Sequence, residues 1–361
     1  MRLVSLTLRN FRNYPRLELE LAPQLNVFLG RNAQGKTNLL ESVAILALSS
    51  SPRARRESEL IGPLAAEATV EASVEHHGRP LEMAMRISSE GDRTSKMIRV
   101  NGAPRRAVDL PGELQATLFW PEDLSLVKGG PEHRRRFLNE LLVQVEPGYG
   151  RALAAYRRVL EQRNHLLKRI SAGQAEAAQL EVWDEELIRL TAVIGSSREE
   201  AVRELGPLAA ANQAAISPGE RLDVAYAGPP PDFAQALATA RSEDLRRGST
   251  GLGPHRDDQV IRIGEQEARS FASQGQQRTA VVSLKLAESD LIERRSGERP
   301  VLLLDDVLSE LDAARRAALL AQVGSGGQVI VTSVEAEPFP ASLIELARVL
   351  CIEAGQVSPC G

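Results

Sequence analysis

The segment Gly30-Arg31-Asn32-Ala33-Gln34-Gly35-Lys36-Thr37 constrains this 361-residue chain more than any other feature. It fits the pattern of glycine, four residues, glycine, lysine and a hydroxyl residue, which chance would produce about 0.003 times in a chain of this composition. The apolar run Leu25 to Leu29 precedes it. After it, Thr37 to Leu48 places Leu39, Leu40, Val43, Ala44 and Ala47 on one side of a helix. In a strand, loop and helix of this kind, Gly30 and Gly35 let successive backbone N–H groups curl around a polyphosphate at the helix N-terminus. Lys36 then reaches the β and γ oxygens, and the Thr37 hydroxyl ligates Mg²⁺. The chain holds 39 Arg and only five Lys, so Lys36 reads as a site that needs a compact ammonium. The other four lysines are ascribed to codon usage.

Residues 1–21 alternate as two strands turning at Asn13, Tyr14 and Pro15. Residues 68–100 keep period two, with turns at His77-Gly78, Glu90-Gly91 and Asn101-Gly102, as an antiparallel meander would. After Pro121 the character changes. Leu153, Tyr156, Leu160, Arg163, Leu167 and Ile170, and then Leu180, Trp183, Leu187, Leu190 and Ile194, recur at spacings of 3 and 4 around Gly173. That rhythm predicts an antiparallel hairpin of two helices of about 20 residues each, either a helical core or a projecting arm. Pro229, Pro230 and Pro231 mark a joint before a helix at 232–247. The chain then returns to α/β alternation, with a strand from Val301 to Leu304 and another from Gln328 to Thr332. The expected fold class is α/β: a P-loop ATPase head at 1–120 and 251–361, with a mixed parallel sheet and an antiparallel β subdomain, interrupted by a helical arm at 121–250.

Two further segments complete the nucleotide chemistry. The strand Val301 to Leu304 ends in Asp305 and Asp306; Asp305 is placed to hold Mg²⁺, and Asp306 to orient or deprotonate the attacking water. Ala272-Ser273-Gln274-Gly275-Gln276-Gln277-Arg278 stands directly before a long helix. Taken alone it is an N-cap. Beside a P-loop, it also suits a second anion-binding helix start of the kind found where two subunits sandwich a nucleotide.

Together these residues resemble the ABC-type ATPase heads of the SMC and Rad50 class, in their bacterial recombination-mediator branch. The resemblance covers nearly the whole chain. It rests on Asn10-Phe11-Arg12-Asn13-Tyr14, on Asn38-Leu39-Leu40-Glu41 after the P-loop, on Pro121-Glu122-Asp123-Leu124 and Val127-Lys128-Gly129, and on Arg134-Arg135-Arg136-Phe137-Leu138. Gly253-Pro254-His255-Arg256-Asp257-Asp258 and the string from Leu304 to Asp312 complete it. It implies that Ser273, Gly275 and Gln276 belong to a signature motif that meets the γ-phosphate of the opposite subunit. It also implies that Ser309 to Asp312 form a D-loop, and that Arg12 and Asn32 reach the phosphates in cis.

ATP and Mg²⁺ are the implied ligands and an ATP-dependent homodimer the implied assembly. The implied function is a weak, DNA-stimulated ATPase of recombinational repair that binds double-stranded DNA, gaps or single-strand junctions, with RecO and RecR as partners in loading recombinase. Three departures bear on turnover. Gln274 stands where the common signature has Gly, Asp306 where many such enzymes carry Glu, and Ser333 where a switch His is usual. A slow timer is expected, with Gln115 the nearest candidate for the Q-loop glutamine.

Net charge is −4, from 44 basic and 48 acidic residues, which excludes a uniformly cationic coat. The charge is nonetheless segregated. Between 151 and 170, Arg151, Arg157, Arg158, Arg163, Lys168 and Arg169 face a single Glu161, whereas 301–361 holds three basic and eight acidic residues. These runs, with Arg53, Arg55 and Arg56 and with Arg105 and Arg106, are either solvated faces or contacts to a nucleic-acid backbone. Cys351 and Cys360 make a disulfide scaffold unexpected, and the five histidines show no metal-ligand spacing. No apolar run reaches membrane length, so the expected address is cytoplasmic and nucleoid-associated. Two other readings share the head chemistry, a nucleotide-gated scaffold with negligible turnover and a transporter ATPase subunit. Chromosome-structuring or Rad50-type proteins need coiled coils far longer than this hairpin.

Overall fold

The computed structural model describes residues 1–91, 93–321, 327–335, 339, 345 and 347–360. Alternation decides the first pairing: β1 (Arg2–Phe11) and β2 (Tyr14–Glu20) set Leu6 opposite Leu19 and Leu8 opposite Leu17, all buried, around the turn Arg12-Asn13. Strand β3 (Leu25–Leu29) is buried along nearly its whole length and feeds α1 (Lys36–Leu48). The meander follows as β4 (Glu67–His76), β5 (Arg79–Glu90), β6 (Arg93–Val100) and β7 (Ala103–Arg105). With β1 and β2 it builds an antiparallel sheet of order β2-β1-β4-β5-β6-β7.

Strand β8 (Ala116–Phe119) leads into the helical part: α2 (Ser125–Lys128), α3 (Pro131–Val145), α4 (Tyr149–Ser171) and α5 (Leu180–Ile216). Next come β9 (Leu222–Ala227), α6 (Phe233–Arg247), β10 (Asp258–Ile263), β11 (Gln266–Glu267), α7 (Ala268–Phe271) and α8 (Gln274–Ser296). The chain then returns through β12 (Val301–Asp305), α9 (Ala313–Ala321), β13 (Val329–Ser333), β14 (Arg348–Glu353) and β15 (Gln356–Pro359).

The second sheet has the order β15-β14-β3-β13-β12-β8. Five of its strands are parallel, and β15 returns antiparallel at the edge. Parallel strands need both faces covered. Leu39, Leu40 and Val43 of α1 pack with Phe28, Leu303 and Ile330 on one side. Val282 and Leu286 of α8, with Leu319 of α9, pack with Val27, Leu304 and Val331 on the other.

Two expectations change, and one local link is added. The hairpin limbs are unequal, 23 residues in α4 but 37 in α5. Gly195 and Pro207 disfavour a helix, yet Leu205 beyond the first and Ala209 and Ile216 beyond both are buried, and α5 continues across α8 and β9; tertiary burial outweighs the local propensity. The second change concerns the boundary placed at 250. A three-stranded sheet of order β11-β10-β9 joins residues 222–227 to 258–263, and one hydrophobic core runs from Leu126 to Ile292. Last, Cys351 and Cys360 form a disulfide across the β14–β15 hairpin. The pair is a local staple of one hairpin and not a disulfide scaffold.

Candidate functional site

Strand β3 delivers the glycine loop to the C-terminal edge of the parallel sheet, where the Gly30 N–H donates to Ser333 O of β13 at 3.2 Å. Ala33 and Gly35 take φ of +66° and +119°, so neighbouring N–H groups turn inward as an anion nest at the start of α1. Two remote turns hold the loop. From the β1–β2 turn, Asn13 Nδ2 donates to Gln34 O (3.0 Å) and Tyr14 OH to Gly35 O (2.9 Å). From the β14–β15 turn, Ala354 N donates to Gln34 Oε1 (2.7 Å) and Gly355 N to Gln34 O (3.1 Å). A Cβ on Gly30 would lie 2.5 Å from Ile352 O, and one on Gly35 2.6 Å from Asn13 Nδ2. Gly35→Ala is therefore expected to push the loop off Asn13 and weaken nucleotide binding about tenfold or more at little cost to global stability. Calorimetric titration with ATP beside a thermal melt checks it, and unchanged affinity would refute it.

Lys36 is buried and its Nζ donates to Gly30 O (2.6 Å) and Arg31 O (3.3 Å). The Thr37 hydroxyl bonds Asp305, whose Oδ1 also accepts from Thr332 Oγ1 at 2.8 Å. Burial raises the Asp305 carboxyl above its ordinary value, against the pull of these two bonds. A desolvated carboxylate beside a hydroxyl is a donor set that fits Mg²⁺. Asp306 takes φ +52°, turning the chain off β12, with its N–H on Thr332. Arg31, Asn32 and Ala33 are exposed at the mouth. Arg12 is placed elsewhere: its guanidinium is bidentate to Glu41 of α1 (2.9 and 2.8 Å) and donates to Glu59 O.

The signature stands apart from these groups. Helix α8 enters β12 through residues 297–300, so it runs back along the sheet on the face opposite α1. It spans about 34 Å against about 16 Å for β12, and its first turns lie beside the segment after Asp305, where Arg315 bonds Gly275 O and Thr279 Oγ1. Ser273 caps α8, accepting from Gln276 N (3.2 Å) while its own N–H donates to Gln276 Oε1 (2.9 Å). Ser273 and Gln274 are exposed. The N-cap reading is met by this capping box. In the D-loop segment, the side chains of Ser309 and Glu310 lie outside the described residues; Asp312 accepts from Arg315 N (3.0 Å).

Gln115 is corrected. It sits at the N-terminal end of β8, the far edge of the sheet from the P-loop, where it is buried and donates to Gln144 O. It serves the α3–β8 junction. Among the basic residues, Arg163 is also reassigned: it is fully buried and bonded to Asp184, Asp244 and Thr250. Arg151, Arg157, Arg158, Lys168 and Arg169 remain exposed on α4, and Arg53, Arg55 and Arg56 on the loop after α1. Arg12, Arg53, Arg55 and Arg136 line a cleft of about 900 Å³ between the head and the helical part.

Residues 2–356 match the RecF/RecN/SMC N terminal domain family. A DNA replication and repair protein RecF from Heliobacterium modesticaldum is 38% identical over 371 aligned positions, covering 99% of each chain. The chain belongs to the RecF family. The RecF of Listeria monocytogenes serotype 4b is 39% identical with the same coverage. Among solved structures, the recombination mediator protein RecF-ATPrS of the RecFOR pathway superposes with a TM-score of 0.90 at 30% identity, covering 99% of this chain and 98% of that one. RecF-ATP of the same pathway gives the same TM-score, covering 100% and 98%. An Smc head bound to the C-winged helix domain of ScpA, at 15% identity and a TM-score of 0.57, shares the fold. The architecture is that of an ABC-type ATPase head carrying a helical arm.

Several contacts around the site left little trace in the sequence. Arg315 donates to Gly275 O (2.8 Å) and Thr279 Oγ1 (2.6 Å), tying the start of α9 to the signature. Lys285, ascribed to codon usage, is buried in an ion pair with Glu288, with Nζ 5.3 Å from the centre of the Phe137 ring. Burial opposes its charge, but Glu288, Asp123 and Glu140 outweigh that and hold its pKa up. Burial also lifts Asp123 to about 6 and Glu288 to about 7. The string 253–258 joins the helical part together: Asp257 accepts from Arg198 (2.9 Å), Asp258 is bidentate to Arg134, and His255 Nδ1 meets Tyr156 OH at 2.6 Å.

Proposed function

We propose that the chain is an ATP-gated, DNA-binding homodimer of recombinational repair, a slow and DNA-stimulated ATPase that acts with RecO and RecR. The supporting observation is the placement of the two half-sites. Ser273 to Gln276 project past the sheet edge that holds Lys36 and Asp305, on the other face, where a second copy related by a twofold axis can use them. Gly30 to Lys36 cradle the triphosphate, Thr37 and Asp305 hold Mg²⁺, and Asp306 orients the water. Ser273, Gly275 and Gln276 of the partner subunit close over the γ-phosphate. Mg²⁺, when bound, neutralises charge developing on the phosphate oxygens. Binding that occurs only in the closed dimer shifts the monomer–dimer equilibrium by mass action. Arg12, bonded to Glu41, has to exchange that carboxylate for a phosphate if it is to reach the nucleotide in cis.

DNA contact falls to the exposed cations of α4 and the loop after α1. Aromatic residues are 4% of the chain, so backbone contacts are favoured over base stacking. Binding to gapped duplex DNA, followed by fluorescence anisotropy, is expected to strengthen with ATP. It should fall with salt along a log–log slope of about −3 to −4 if four cations meet phosphates. A flat salt response, or affinity indifferent to ATP, would defeat this reading. One observation favours the scaffold variant with negligible turnover: Asp306 offers a carboxylate one methylene shorter than Glu at the water-orienting position.

A further inference from the structure

The β4–β5 turn and the loop between α8 and β12 bring two imidazoles and a carboxylate together, at the sheet edge remote from the P-loop. We propose that His76, His77 and Glu298 form a binding site for a divalent transition-metal ion of the zinc class. Glu298 divides its two oxygens sharply. Oε1 accepts the His77 N–H at 2.9 Å and lies 3.4 Å from the Met1 ammonium. Oε2 is buried with no hydrogen-bond partner, and it faces His76 Nε2 at 3.6 Å and His77 Nδ1 at 3.7 Å. One ligand atom from each of the three residues falls within 4.8 Å of the others.

A tetrahedral zinc with bonds of about 2.0–2.2 Å sets its ligand atoms about 3.3–3.5 Å apart. The two imidazole–carboxylate separations therefore need to close by only a few tenths of an ångström, and the two imidazoles, within 4.8 Å of each other, by up to somewhat more than 1 Å. Backbone and ammonium contacts on Oε1 fix the carboxylate so that Oε2 alone points at the imidazoles, the arrangement that orients a metal-binding carboxylate. The Met1 ammonium adds a positive charge at the site and Glu113 a negative one. His77, at φ +49°, is the first residue of a two-residue turn completed by Gly78 at +69°. The same sheet fills the equivalent turn at 101–102 with Asn-Gly, the usual choice for this geometry. At 77 an imidazole stands instead, aimed at Glu298. Adjacent histidines and a glutamate 221 residues from His77 leave no spacing for sequence inspection to find. His77 is 56% exposed, leaving room for water as fourth ligand. A bound ion would staple the antiparallel sheet to the loop that feeds β12, the strand ending in Asp305.

The test uses the full chain without an affinity tag, stripped with EDTA and titrated with ZnCl₂ against a chromophoric chelator, with thermal unfolding in parallel. Wild type is expected to bind one more equivalent of Zn²⁺ than His77→Asn, which keeps a residue suited to the turn. Affinity at that site should fall about tenfold or more in His77→Asn and in Glu298→Gln. Zn²⁺ should raise the unfolding midpoint of wild type and of neither variant. Equal titrations for wild type and His77→Asn, or equal Zn²⁺-induced midpoint shifts, would overturn the proposal.

Discussion

Lys36→Arg is expected to bind ATP roughly 10- to 100-fold more weakly, to show no ATP-dependent rise in dimer fraction, and to melt at the wild-type temperature. The magnitude follows from losing one charge-assisted hydrogen bond to phosphate, about 1.5–3 kcal/mol. Arginine cannot replace it. Nζ occupies a small space between Gly30 O and Arg31 O, and Gly30 is backed against Ile352 O, where even a Cβ would clash. A planar guanidinium does not fit that space. Asp306→Asn should do the reverse: it leaves the cradle intact, slows hydrolysis by about 10²–10⁴, and keeps the ATP dimer assembled long after wild type has relaxed. Sedimentation velocity with and without ATP, repeated over time, reads both. Wild-type dimerisation by Lys36→Arg would remove the gating mechanism. Relaxation of Asp306→Asn at the wild-type rate would show that dissociation owes nothing to turnover.

The second large effect is on stability. Arg163→Ala should destabilise the helical part by about 3–5 kcal/mol, because it leaves Asp244 buried without its counter-charge and takes from Asp184 one of its two guanidinium partners. Arg163 is fully buried, with Nε on Asp184 Oδ1 and Nη1 on Asp244 Oδ2 and Thr250 Oγ1, each at 2.7 Å. These contacts lock α4 to α5 and α6. Arg241 supports Asp184 at 2.6 Å and the Gly251 N–H supports Asp244 at 2.8 Å, so neither aspartate can turn out to water without breaking a further bond. Urea unfolding followed by fluorescence of Trp183 on α5 gives the measurement. A change below 1 kcal/mol would mean that water reaches the aspartates. Arg163→Ala with Asp244→Asn should recover part of the loss.

What could be read in advance depended on whether the cause was local. The strand, glycine loop and α1 are specified by consecutive residues, as are the Asp305 strand and the Ser273 cap, and all three stand where their patterns placed them. Arg163 shows the opposite case. It sits in the apolar rhythm of α4, yet its charge suggested an exposed contact, and only the carboxylates from α5 and α6 explain its burial. Gln115 resembled a site residue by sequence neighbourhood, whereas sheet order puts it at the wrong edge. The limits of α5 were hidden because Gly195 and Pro207 stop an isolated helix but not one gripped by α8 and β9. The grip of Ala354 and Gly355 on Gln34 depends on a hairpin more than 300 residues downstream, which no window along the chain contains.

That grip has a consequence for how the molecule is made. Strand β3 pairs with β13 and β14, and with no strand that precedes it. On the ribosome, the apolar segment 25–29 and the loop after it emerge about 300 residues before the strands they pair with. At about 5–20 residues per second the wait lasts roughly 15 to 60 s. During that time α3 to α8, with their separate core, can fold in between. The nucleotide cradle is thus synthesised long before it can be finished, and a nascent chain gains its phosphate site only once β13 and β14 have emerged.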